Sequence, residues 1–192
     1  MTDSLIIIGA GGHGKSIYEV AASSGKFSRI AYLDDSWIPN DEGRSLIIGL
    51  VEDLAKYSTI FSHAIIGIGN NKVRENLQQQ VSDAGLKLVT LIHPHACVSP
   101  SAKIGNGVVI FAGTVLGVDV KIGDGVIVNC SCAIDHDSKL GDYSHLGVGV
   151  NLAGNSDIGR SAFIQAGSSG GYNTYVEPYA ICTPGSVLKT RA

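Results

Sequence analysis

An apolar residue recurs at every sixth position from Val98 to Leu188 without a slip, through Ile104, Ile110, Leu116, Ile122, Val128, Ile134, Leu140, Leu146, Leu152, Ile158, Ile164, Val176 and Cys182. Only Gly170 breaks the rule. Four residues beyond each apolar position comes a small or β-branched residue, such as Thr114, Val126, Cys132, Ser138, Ser144 or Ala162. Glycine often follows the apolar residue, as at Gly105, Gly117, Gly123, Gly141 and Gly147. Short strands between Gly, Asn and Asp turns cannot bury a face singly, but stacked coils share one core. Three hexads close a triangular coil of 18 residues. Residues that far apart therefore stack at strand spacing, about 4.8 Å, in about five coils of a parallel β-helix. Gly170 marks either a slightly loosened coil or a close approach of a ligand to the backbone.

Residues 1–92 follow a different rule. Leu5-Ile6-Ile7-Ile8 reads as a buried strand, followed by a glycine turn and a helix from Lys15 to about Ser23. Further strands are predicted at 30–33, 46–48, 64–68 and 86–91, with a helix carrying Val73, Leu77 and Val81 before the last. Strands alternating with helices predict a small parallel α/β sheet. Ile92-His93-Pro94-His95 joins it to the repeat domain, residues 93–192.

Composition removes several classes of function. A net charge of -3 with no basic stripe gives no support for nucleic-acid binding. The apolar run at 5–8 is too short for a membrane span or signal segment, so no membrane insertion is expected and the expected compartment is the cytoplasm. Cys97, Cys130, Cys132 and Cys182 lack paired metal spacing, and two of them take inward repeat positions, so no metal is expected.

The regular repeat isolates its exceptions. Asp135, His136 and Asp137 lie between inward Ile134 and Ser138, and His145 follows one side of the triangle later. Coil stability requires an imidazole at neither place. A near-neutral histidine suits general-base work, and a neighbouring carboxylate can orient it; spacing leaves Asp135 and Asp137 equally placed. In the first domain Gly9-x-Gly11-x-x-Gly14 has the spacing of a dinucleotide loop, with Asp34 about twenty residues later. Strand, glycine turn, helix and acid together predict a phosphate or nucleotide site, where Asp34 or Asp35 accepts sugar hydroxyls. Gly67, Gly69, Asn70, Asn71 and Arg74 form a second rim, with helix capping the competing reading for the asparagines.

Taken together, Ile8-Gly9-Ala10-Gly11-Gly12-His13-Gly14, Leu33-Asp34-Asp35, Gly67-Ile68-Gly69-Asn70-Asn71, Ile92-His93-Pro94 and the stretch 129–145 resemble a known family. It is the bacterial nucleotide-sugar and sialic-acid acetyltransferases, nearest to the enzymes that acetylate a UDP-linked 4-amino sugar of the bacillosamine route. The resemblance covers essentially the whole chain. It implies a Rossmann-like domain followed by a left-handed parallel β-helix, and a homotrimer with active sites between subunits. It implies His136 as the base, with Asp137 matching the adjacent acid that is often Glu in relatives. His145 matches a histidine near the thioester of acetyl-CoA, while Ala166, Pro184 and Gly185 match positions along the coenzyme. Gly11, Gly12, His13, Asp34, Asp35 and Gly67 match the contacts to a UDP-amino-sugar acceptor. The implied reaction is direct acetyl transfer to the 4-amino group. O-acetylation of sialic acid or another surface-glycan sugar, and a non-catalytic nucleotide-sugar binding protein, are the competing readings. A β-helix zinc enzyme needs three histidine ligands, and an NAD oxidoreductase does not explain the repeat.

Overall fold

The computed structural model describes residues 3–36 and 46–191. The chain divides into two compact units between Leu91 and Ile92.

In the first unit the four apolar residues at 5–8 are wholly buried. They form most of β1 (Asp3–Ile8), the middle strand of a five-stranded sheet. It is flanked by β2 (Phe27–Leu33) and β3 (Ile47–Gly49) on one side, and by β4 (His63–Ile66) and β5 (Lys87–Leu88) on the other. Every pairing is parallel. A central parallel strand is covered on both faces, which is why it reads as an unbroken apolar run. Helix α1 (Gly12–Ser23) buries Ile17, Val20 and Ala21. A one-turn helix, α2 (Leu54–Tyr57), was too short to show a helical period in the sequence.

Helix α3 (Asn71–Asp83) carries Val73, Leu77 and Val81 as expected, and its burial adds a detail. Its buried face carries Arg74, Leu77, Gln78 and Val81, whereas Val73 is exposed. These four positions follow i, i+3, i+4, i+7 spacing, and a charged residue occupies the first of them. The last strand predicted here, 86–91, also shrinks to the two residues of β5.

In the second unit each hexad forms a two-residue strand, and strands stack in parallel with the residue 18 positions on. One face is the ladder through Val115, Ala133, Asn151 and Ser169. The second runs through Lys103, Lys121, Lys139, Asp157 and Tyr175. The third runs through Val109, Ile127, His145, Phe163 and Ile181. Inside, Ile110, Val128, Leu146 and Ile164 are fully buried, as are the small residues Val126, Ser144 and Ala162. Each fully buried aliphatic side chain contributes about 1.5–3 kcal/mol relative to exposure.

The glycines that follow the apolar positions answer to the next coil. A Cβ on Gly141 would lie 2.6 Å from the Arg160 backbone nitrogen, and one on Gly147 would lie 2.6 Å from that of Ala166. Gly170 marks neither a loosened coil nor an open backbone. The Thr174 side chain fills the space that a side chain at 170 would need, and its hydroxyl donates to Gly171 O at 2.8 Å.

Candidate active site

The glycine turn of the first unit is built by backbone crowding. A Cβ on Gly14 would overlap the carbonyl oxygen of Gly9. One on Gly67 would lie 2.7 Å from that oxygen and 2.9 Å from Gly14 Cα. These glycines are required by the fold itself. Gly11 and Gly12 differ: a Cβ on either would meet nothing within 4 Å. Gly11 is also the N-cap of α1 and, having no side chain, supplies no side-chain cap to the first amides of the helix. That combination accommodates an anion closely held by backbone.

The acids of this region are partly committed to the loop. Asp34 Oδ2 accepts from the Ala10 amide at 2.7 Å, and Oδ1 accepts from the Ser36 amide at 2.8 Å and from the Ser36 hydroxyl. It therefore braces the turn. Asp35 is exposed and accepts from the Val51 amide at 3.2 Å. His13 is half-buried, and desolvation, helped by the charge of Arg74, pushes its imidazole down to about 4. It is neutral at physiological pH. Asn70 caps α3 by accepting from the Val73 amide at 3.0 Å, which is the capping role weighed for it from sequence.

In the second unit His136 sits at the corner between the Ala133 face and the Lys139 face. The next residue, Asp137, has φ +60. Asp119, Asn155 and Asn173 take the same left-handed corner seat on other coils, at φ 58, 56 and 61. Short polar residues tolerate that conformation best. The seat explains an Asx residue there; the hydrogen bond gives it chemistry. Nδ1 of His136 lies 2.8 Å from Asp137 Oδ2, while Asp135 Oδ2 lies 3.7 Å from Nε2. Asp137 therefore reaches the ring despite its short side chain, and it holds the tautomer in which Nε2 is the basic nitrogen. The Asp137 hydrogen bond first, and the charge of Asp135 second, raise the imidazole above its ordinary value.

Two neighbours of this histidine escaped the sequence reading. Gly154 stands one coil on, and its missing side chain leaves room for the ring: a Cβ there would lie 2.7 Å from His136 Cε1 and Nε2. Tyr172, a further coil on, places its ring centroid 6.0 Å from that of His136. Both share the corner column of His136, a relation visible in sequence once the coil length is applied.

His145 points outward from the third face and stacks on Phe163, with centroids 4.5 Å apart. The Asn129 side-chain nitrogen lies 2.9 Å from His145 Nε2 and donates to Leu146 O at 2.8 Å. An amide nitrogen only donates, so His145 Nε2 accepts and the proton rests on Nδ1. Ala166, Pro184 and Gly185 lie at the next corner of the same face, where the Gly185 amide donates to Ala166 O at 2.9 Å. The structure thus gathers His145, Ala166, Pro184 and Gly185 on one side of the solenoid. It places His136 and Asp137 on a different corner, across the Ala133 face.

A hexapeptide β-helix carrying an aspartate-braced histidine at a corner defines an acyltransferase of the hexapeptide class. Comparison with known proteins agrees. The family model for the PglD N-terminal domain matches residues 4–81. UDP-N-acetylbacillosamine N-acetyltransferase of Bacillus subtilis (strain 168) is 34% identical over 111 residues, which is 57% of this chain. The match spans about half of that relative, 51% of its length. The acetyltransferase domain of PglB from Neisseria gonorrhoeae FA1090, solved with acetyl coenzyme A, superposes with a TM-score of 0.93 at 36% identity, covering 99% of this chain and 92% of that one. PerB from Caulobacter crescentus, solved with CoA and GDP-perosamine, superposes with a TM-score of 0.80 at 30% identity, covering 100% and 99%. The chain belongs to the hexapeptide-repeat acetyltransferases of the PglD/PglB family, which combine a Rossmann-like unit with a left-handed β-helix.

Proposed function

We propose that this chain transfers the acetyl group of acetyl-CoA to the 4-amino group of a UDP-linked amino sugar. The observation that carries the reading is the His136–Asp137 pair at 2.8 Å, set in a repeat that has no structural use for it. Nε2 of His136 takes a proton from the amine as its nitrogen attacks the thioester carbonyl. The carbon–sulfur bond then breaks and the thiolate of coenzyme A leaves. Asp137 keeps Nε2 as the acceptor and stabilises the imidazolium that forms. His145, with its proton on Nδ1, is a donor suited to the developing oxyanion. The open backbone at Gly11 and Gly12, with His13, Asp35 and Gly67 around it, is the proposed seat of the nucleotide diphosphate.

Transfer to nitrogen is favoured by two relatives, an N-acetyltransferase of an amino sugar and a protein solved with GDP-perosamine. A homotrimer is part of the same proposal. The base and the coenzyme-side residues occupy different corners of one solenoid, so a complete site draws the base from one subunit and the coenzyme face from its neighbour. Use of acetyl-CoA implies a cytoplasmic location; no helix among the described residues is long and apolar enough to cross a membrane.

The test is thiol release from acetyl-CoA across UDP- and GDP-linked 4-amino sugars, UDP-sugars without the amine, and sialic acid. Turnover should be confined to the amino sugars. His136→Ala should lower it by about 10²–10⁴-fold without changing the oligomer. Near wild-type turnover in that variant, or turnover on sialic acid alone, would sink the proposal.

A further inference from the structure

Arg74 is fully buried at 1% exposure, and it is the one charged residue in the buried set among the described residues. Taking a guanidinium out of water is costly unless it is hydrogen-bonded, so the partners of this one matter. Three side-chain hydrogen bonds of Arg74 reach one short segment. Nη1 donates to Gly69 O at 3.0 Å and to Ile68 O at 3.3 Å, and Nη2 donates to Asn71 Oδ1 at 2.9 Å. These groups belong to the turn from β4 into α3, residues 67–71.

That turn is pressed against the glycine loop. Gly67 lies so close to Gly9 O and Gly14 Cα that neither side has room for a Cβ. On the other side of Gly9, a Cβ would lie 2.9 Å from Ile68 Cγ1. Whatever fixes residues 67–71 therefore fixes the backbone from Gly9 to Gly14, and with it the start of α1. The same guanidinium acts on His13, whose imidazole is held neutral mainly by burial and secondly by this charge. A neutral imidazole adds no charge of its own, so the positive potential at the loop comes from the helix terminus and from Arg74.

We propose that Arg74 is a positioning residue of the nucleotide-sugar site: it clamps the 67–71 turn against the glycine loop and so sets the loop's geometry for the nucleoside diphosphate. This rests on the functional reading above. It assigns the loop's shape to a residue with no seat for the acceptor itself. Its effect belongs to acceptor binding and not to the acetyl-transfer step at His136.

The test compares Arg74→Met, which keeps bulk and removes charge, with Arg74→Lys, which keeps charge but cannot serve three acceptors. Calorimetric binding of UDP-amino sugar and GDP-amino sugar to wild-type protein comes first. If neither binds, the functional reading fails and the Arg74 assignment falls with it. If one binds, the R74M variant should raise KM for that sugar by about tenfold or more, with kcat and KM for acetyl-CoA within about threefold. The His13 ring proton, followed by NMR, should titrate closer to 6.5 in R74M than in wild type and remain low in R74K. Should R74M fail to fold, R74K carries the same comparison and should still raise the sugar KM. An unchanged sugar KM in a folded variant overturns the assignment, as does a parallel rise in both KM values, which would mark general loss of structure.

Discussion

Gly154→Ala adds one methyl group, and the structure says where that methyl goes. Its Cβ would lie 2.7 Å from Cε1 and Nε2 of His136 and 2.9 Å from Cε2 of Tyr172. Carbon atoms in contact prefer about 3.5–4.0 Å, so the ring must move by about 1 Å. The backbone has no reason to yield, because Gly154 is not among the residues with positive φ and all three obstructing atoms belong to side chains. The cost to the fold is therefore small, within about 0.5 kcal/mol as for a surface substitution.

The cost to the base is large. Swinging the imidazole off Asp137 disturbs both the tautomer and the direction of Nε2, and a misplacement of about 1 Å can cost about 10²-fold in rate. We therefore expect the G154A variant to lose about two orders of magnitude in kcat, with a melting curve matching wild type. Gly171→Ala is the steric control, since a Cβ there would meet only Thr190 Cγ2 at 3.5 Å. It should retain activity within about threefold. The assay is steady-state thiol release beside thermal unfolding of each variant. Wild-type kcat in folded G154A would refute the assignment of His136 as a base whose position matters.

The pH profile should carry the signature of the braced histidine. The base works only when neutral, and its pKa lies above 6.5, so kcat/KM should fall as pH drops through that raised value. Asp137→Asn removes the main cause of the shift and should move the acid limb to lower pH while reducing the plateau; an unmoved limb would contradict the pairing. Two glycines of one loop should separate fold from binding. Gly14→Ala collides with the backbone of Gly9 and should destabilise the first unit by about 1–3 kcal/mol in chemical unfolding. Gly11→Ala meets no protein atom and should leave unfolding unchanged while raising the nucleotide-sugar KM. Alkylation of the native protein should modify exposed Cys97 and spare Cys132, whose thiol is buried and pushed up to about 11; mass mapping reads the outcome.

The two units were legible in the sequence to different depths, for a physical reason. In the solenoid each residue's environment follows from its place in a hexad, because every coil repeats the one below at fixed spacing. The inward positions of Ile134, Ser138 and Leu146 could therefore be read directly, and His136 and His145 stood out against them. Gly154 and Tyr172 were equally readable but needed the coil length applied to His136 instead of to the core. What the period could not supply was the choice between Asp135 and Asp137. That choice depends on a left-handed φ at the corner, which turns one carboxylate toward Nδ1 and the other toward Nε2. The α/β unit has no such repeat. Its strands follow from apolar runs, but Asp34 bonds to the loop amide of Ala10 and Arg74 is buried against the turn after β4. Neither role follows from spacing, because the Asp34 contact forms only when β1 and β2 pair, and the turn that Arg74 bonds meets the glycine loop only when β1 and β4 pair. The same distinction bears on the proposed assembly. Within one chain the repeat places the base on one corner and the coenzyme-side residues on another, and no change of side-chain rotamer crosses a face of the prism. In the proposed homotrimer a subunit interface joins them, so loss of the trimer should abolish turnover even when every residue named here is intact.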